Sequence, residues 1–341
     1  MITSFFLSRC VFELDSGLGV EYENRQSVLN HIRRCGVLLA SNDLLREYDA
    51  AIARWPNQAQ ILARKALFNL YKSNRIVREQ AQGDVDPCSV SRGVHSIQLR
   101  NGVCLWSEKC LACKLKEVNH EAELVVSAPG CADALHGIEE AAASTVIPRG
   151  AYTKDEFANR WLRPMLRYTS SLLVVDRYIG RSVLEGSFGR FASSLQWLGE
   201  VFVNESATAS EVSMICGVQE HKLASCGEAE RIDFVRRLED FAQSLSGRIG
   251  IAVNMDVMLE SGSMELPHAR YLRTGQGYYL FDSGFDLIMN ARVKDVVIAR
   301  ISGEPKQVAE LFDPAIAKSI SARTWDGKLP SGVRTMPTPR R

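Results

Sequence analysis

The sequence predicts a two-domain α/β protein, and three observations predict it. Strand-like and helix-like segments alternate through residues 10–72. In the second half, the stripe Phe234, Val235, Leu238, Phe241, Ala242 and Leu245 has helical spacing, and strict alternation follows at Ile249, Ile251, Val253, Met255, Val257 and Leu259. The 341 residues are 46% apolar and 24% charged, enough apolar material for two cores of ordinary size.

Taken in order, Cys10–Asp15 reads as a first strand. A helix from Asn24 to Cys35 follows, stopped by Gly36, and Val37–Ala40 suits a buried strand. Ser41 is placed to cap a helix whose apolar positions are Leu44, Leu45, Tyr48, Ile52 and Trp55, and Pro56 ends it. Ala59–Lys72 is the next helix. Residues 82–87 form a loop, Lys109–Lys116 a helix and Ala122–Ser127 a strand. The first domain thus spans residues 1–145, and the small-residue stretch Ala141–Gly150 serves as linker. The second domain, 152–315, opens on the capping box Thr153-Lys-Asp-Glu156. Phe157, Trp161, Leu162 and Met165 supply the buried face of its helix, and Pro164 bends that helix or marks its first turn. Strands are expected at Ser171–Asp176, Glu211–Gly217, 249–259, His268–Arg273, Tyr278–Phe281 and Lys294–Ile301. Helices are expected at Phe188–Leu198, Glu228–Leu245 (ended by Gly247) and Glu304–Phe312. The stretch 329–341 has three Pro and no acid, and reads as a disordered basic tail.

The net charge of +1 excludes a whole-chain basic field, so any anion binding must come from local clusters. Nine cysteines at irregular spacing point to buried thiols in a reducing compartment. The apolar patch at Met1–Arg9 is short and interrupted. No stretch approaches the roughly 20 apolar residues that span a bilayer. A cytoplasmic protein is expected. No Walker or dinucleotide fingerprint is present.

The chemistry-bearing constellation is Pro267-His-Ala-Arg-Tyr-Leu-Arg273, then Tyr278-Tyr-Leu-Phe-Asp-Ser-Gly-Phe-Asp-Leu287, with Val174-Val-Asp-Arg-Tyr-Ile-Gly180 upstream. In this order the segments resemble the phospholipase-D-like superfamily over residues 152–302. The resemblance is to the single-copy domain at the C-terminus of microtubule-interacting-and-transport-domain proteins and their prokaryotic relatives. It implies an α/β domain with a mixed central sheet flanked by helices. It also implies a histidine, His268, that attacks phosphorus, a cation, Arg270, that holds phosphate oxygens, and Asp176 and Asp286 as orienting groups. Arg273 and Ser283 complete the expected phosphate contacts. Imidazole can serve as nucleophile or acid without a metal, so no cofactor is expected there. Arg270 stands where active members carry Lys, and Gly275 stands where they carry Asp, so Asp282 or Asp286 would have to substitute in orienting His268. One copy of the motif means that a working site needs a homodimer.

The first domain resembles the PIN-type nuclease fold. Asp15, Glu47 and Glu108 would hold a divalent metal there, although Ala128 and Pro129 occupy the fourth acidic position. Cys110-Leu-Ala-Cys113 is a single CxxC pair in an apolar stretch and reads as buried thiols. The expected function is phosphodiester-directed action on nucleic acid, in the prokaryotic defence or mobile-element setting that the resemblance implies. The alternative is a non-catalytic dimeric module binding a phosphate-containing ligand, a lipid headgroup or a protein partner.

Overall fold

A computed structural model describes residues 3–13, 19–78, 102–107, 123–126, 131–260, 266, 268–289 and 292–301. The chain is α/β and forms two compact units, Met1–Ala143 and Ser144–Arg341.

Among the described residues, unit 1 carries five strands: β1 (Thr3–Leu7), β2 (Gly36–Leu39), β3 (Ile76–Val77), β4 (Gly102–Trp106) and β5 (Glu123–Val125). All pair in parallel, in the order β3-β2-β1-β4-β5. Its helices are α1 (Gly19–Cys35), α2 (Asn42–Ile52), α3 (Asn57–Lys72) and α4 (Cys131–Ala143). Ser41 caps α2 as its position demands, its hydroxyl accepting from the Leu44 N–H at 3.1 Å. Leu44, Tyr48 and Ile52 then face the core. The Tyr48 hydroxyl donates to Leu7 O, and Trp55 Nε1 donates to Phe12 O at 2.9 Å, so both large rings bury without losing a polar partner.

The first strand lies earlier than Cys10–Asp15. Thr3–Leu7 is the central strand, with Phe5 and Leu7 fully buried between β2 and β4, while Arg9–Val11 is a short 3₁₀ turn. A strand buried on both faces shows no alternation, so the apolar patch near the terminus concealed it. The expected linker is also structured: Ala141–Ala143 completes α4, and Ser144–Ile147 forms β6, an outer strand of the second sheet. The expected helices at 109–116 and 304–312 and the basic tail lie outside the described residues.

Unit 2 is built on a seven-stranded mixed sheet, β6-β14-β11-β10-β7-β8-β9. Its members after β6 are β7 (Ser171–Val175), β8 (Glu211–Gln219), β9 (Ala252–Glu260), β10 (Arg270–Thr274), β11 (Gly277–Phe281) and β14 (Val296–Ile301). β12 (Ile288–Met289) and β13 (Arg292–Val293) form a separate ladder. β7, β8 and β9 run parallel, and the remaining neighbours are antiparallel. The helices are α5 (154–166), α6 (Arg177–Leu184), α7 (Gly189–Glu205), α8 (Glu220–Ser225) and α9 (Glu228–Ile249). Thr153 and Glu156 close the capping box that starts α5. Pro164 has no N–H to return to the preceding turn, and the turn before it, Ala158–Leu162, is π-helical. α9 runs past Gly247 to Ile249 and ends where Gly250 takes a left-handed φ of 73°. Ile249 therefore belongs to the helix, and the alternating strand starts at Ala252.

α6 lies on β8 at backbone distance. A Cβ at Gly180 would run into the carbonyl oxygen of Gly217, and one at Gly217 would come within 2.7 Å of the Glu260 carboxylate. Glycine at both places lets the helix and a buried acid close onto the strand. Gly180→Ala should therefore destabilise the protein by about 1–3 kcal/mol, the usual cost of overpacking. Urea denaturation would read this as a lowered midpoint; an unchanged midpoint would show that α6 and β8 can separate freely.

Candidate functional site

Three sequence segments converge where β7 ends. Asp176 follows the last residue of β7 and is fully buried. Its Oδ1 accepts from the Tyr178 N–H at 2.9 Å, which starts α6 as an N-cap. Its Oδ2 accepts from the Phe285 N–H at 2.9 Å. One carboxylate thereby ties the head of α6 to the Gly284-Phe-Asp286 segment, and a side chain at position 284 would crowd both Asp176 and Asp286. Burial pushes the Asp176 carboxyl up to about 6, against the pull of the Phe285 and Tyr178 N–H groups and the Arg270 charge, with Asp286 adding to the rise.

His268 sits just before β10 and is exposed, with Arg270 two residues on. Both touch Tyr178 on the first turn of α6. The Tyr178 hydroxyl lies 3.3 Å from His268 Nδ1, and the Arg270 guanidinium lies over the Tyr178 ring at 4.6 Å. Arg270 also donates to Asp282 O. The imidazole and the guanidinium therefore gather on one side of the sheet around one phenol.

The closest partner of the imidazole is Arg177. Its Nη1 lies 3.1 Å from His268 Nε2, and its Nη2 donates to Glu260 Oε2 at 3.0 Å. A guanidinium only donates, so Nε2 carries the lone pair and the proton sits on Nδ1, facing the Tyr178 oxygen. Glu260 is buried at the end of β9, and its Oε1 accepts from Leu266 N at 3.0 Å. Arg177, His268 and Glu260 line a pocket of about 120 Å³ together with Arg181 of α6 and Lys222 of α8. That is roughly ten times what one water requires. The pocket opens beyond the carboxyl end of the parallel strand β8, where open α/β sheets commonly take ligands. Glu185 pairs with Arg181 at 2.6 Å and with Lys222 at 3.8 Å; these exposed bridges hold weakly and can exchange for a ligand.

The other expected site residues stand elsewhere. Asp176 bonds backbone and Asp286 pairs with Lys294, so neither orients His268. Asp282 Oδ1 accepts from Val297 N. Arg273 lies on the opposite sheet face from Arg270 by strand alternation, over the Tyr278 ring at 5.5 Å. The Ser283 hydroxyl donates to Asp295 O at 2.8 Å. Gly275 lies in the β10–β11 turn, its N–H on Thr169 Oγ1 at 2.7 Å. In unit 1, Glu47 faces Arg9 at 3.8 Å, while Asp15, Glu108 and the CxxC pair lie outside the described residues. Among the described residues, no group of three or more His, Cys, Asp or Glu could hold a metal ion, and no helix is long and apolar enough to cross a membrane. Cys216 is buried beneath the site, and burial pushes its thiol up, beyond use as a nucleophile at neutral pH.

Comparison with known protein families, curated proteins and solved structures finds no match to this chain.

The folded Asp176 carboxyl titrates near 6, against 3.8 for the ordinary group. The folded state therefore holds the extra proton between those values. The stability Asp176 contributes is complete below pH 3.8 and is lost as pH rises through 6. Relative to Asp176→Asn, the wild-type protein should lose on the order of 3 kcal/mol across that window. Urea midpoints of both proteins over a pH series would measure it; a difference that grows in the wild type's favour with rising pH would contradict the buried assignment.

Proposed function

We propose that this chain binds a phosphodiester-containing ligand, foremost nucleic acid, in the pocket around His268, and that the domain is a degenerate phospholipase-D-like site. One observation carries this reading. Arg177, Arg181, Lys222 and His268 line a single pocket, and its acids, Glu185 and Glu260, are each already engaged by those cations. Such a pocket favours an anion with several acceptor oxygens, and phosphate meets guanidinium groups in bidentate fashion. Recognition rather than turnover is the form this geometry supports best. The His268 nitrogen that would attack phosphorus faces a cation, and no carboxylate among the described residues bonds its ring.

A catalytic reading is favoured by one further fact: the imidazole is exposed and shares Tyr178 with Arg270. In that reading Nε2 attacks phosphorus, a P–N bond forms as the P–O ester bond breaks, and the departing oxygen takes a proton from His268 of a second copy. Water then cleaves the P–N bond. A homodimer is required for this step and not for binding.

Incubation with labelled single- and double-stranded DNA and RNA, with and without chelator, separates the readings. Binding without cleavage is expected, weakened by a factor of about a hundred or more in an Arg181→Ala, Lys222→Ala double variant, since each of the two charged contacts is worth about 1.5–3 kcal/mol. Metal-independent cleavage lost in His268→Ala would establish the catalytic reading. Chelator-sensitive cleavage would move the chemistry to unit 1, and absence of binding to any nucleic acid would overturn the proposal.

A further inference from the structure

We infer that Arg177 is the positioning residue of this site, a guanidinium that engages Nε2 of His268 and releases it when a phosphoryl group arrives. The inference rests on the phosphate reading of the pocket and adds to it a regulatory contact.

The contact is specific. Arg177 is nearly buried, and its Nη2 is held by Glu260, which is itself 5% exposed. Glu260 cannot drift: its other oxygen accepts from Leu266 N, and it lies against the bare backbone of Gly217, where any side chain would displace it. The guanidinium is thus anchored at one end, and the other end, Nη1, is spent on His268 Nε2 at 3.1 Å. While that bond stands, the lone pair of Nε2 is engaged by the guanidinium, and an electrophile must compete with Nη1 for it.

The contact is also the weaker of two available to Nη1. A neutral imidazole nitrogen is a single acceptor. A phosphate oxygen carries charge, and hydrogen bonds to ionised acceptors are shorter and roughly twice as strong. A phosphoryl group beside Arg181 and Lys222 lies within the same pocket as Nη1 and competes for it. Swinging Nη1 toward the ligand gives up the bond to the imidazole, while Nη2 stays on Glu260 and keeps a counter-charge on the buried carboxylate. Nε2 is then released beside the bound phosphoryl group, with Nδ1 still facing the Tyr178 hydroxyl. Ligand binding and the availability of Nε2 become one event.

The experiment is nitrogen NMR on full-length protein labelled at histidine, titrated with inorganic phosphate and, separately, with oligothymidylate. The His268 Nε2 resonance should move on saturation in the wild type. In Arg177→Lys, the ammonium keeps the Glu260 pair but cannot reach both partners. There the resonance of the free protein should already stand near the liganded wild-type position and hardly respond. Affinity for either probe should fall about tenfold, as expected for loss of one charged hydrogen bond. A purely structural role for Arg177 would not shift the imidazole signal in this pattern. If Arg177→Lys fails to fold, the wild-type titration alone decides, because the resonance either moves at saturation or does not. Binding without movement of Nε2 overturns this role of Arg177 and leaves the phosphate pocket standing. No binding of either probe overturns both.

Discussion

The candidate site hangs on one buried carboxylate. Asp176 accepts from two backbone N–H groups that lie 107 residues apart in the chain, on Tyr178 and Phe285. Two neutral donors do not offset the loss of water around a charge, which is why its proton leaves near 6 instead of 3.8. The consequence is positional: with Asp176 fixed, α6 begins there, and Arg177 and Tyr178 are aimed at the residues before β10. His268 and Arg270 stand there. An acid that seemed suited to orient the histidine instead orients the helix that holds it.

The second constraint is the Arg177–Glu260 pair. Buried ion pairs recover their desolvation cost only when further hydrogen bonds satisfy both partners, and a hydrophobic replacement is often as stable. Glu260 meets that condition through Leu266 N, and Arg177 through His268. The pair fixes the direction of a guanidinium at the rim of a pocket, a result that apolar packing could not supply. Gly180 and Gly217 are the steric conditions for it, one admitting the helix and the other the carboxylate.

Much of the scaffold was legible because its signals are local. The capping box at Thr153, the Ser41 cap and the α9 stripe each lie within a few residues and form as written. The α/β class followed from their alternation. The strand at Thr3–Leu7 was not legible, since burial on both faces erases the period that marks a strand. Nor was the order at Ala141–Ile147, where alanines continue a helix instead of loosening a linker. The grouping of His268 with Arg270 was readable from two positions of separation. Arg177 and Glu260 were not, because 83 residues divide them and neither type, alone, says what it faces. The single hint was an acid ending an apolar alternating strand.

β9 forms one rim of the second sheet and is nine residues long. Such a rim invites addition of a foreign strand. Its side chains include Asp256 and Glu260, both turned inward and nearly buried. A strand hydrogen-bonded along β9 would have to place its own side chains beside those two acids. Inward-pointing charge is a known guard against edge-to-edge aggregation. The carboxylate that anchors the pocket therefore has a second effect: it makes that border of the sheet a poor template for fibrous growth.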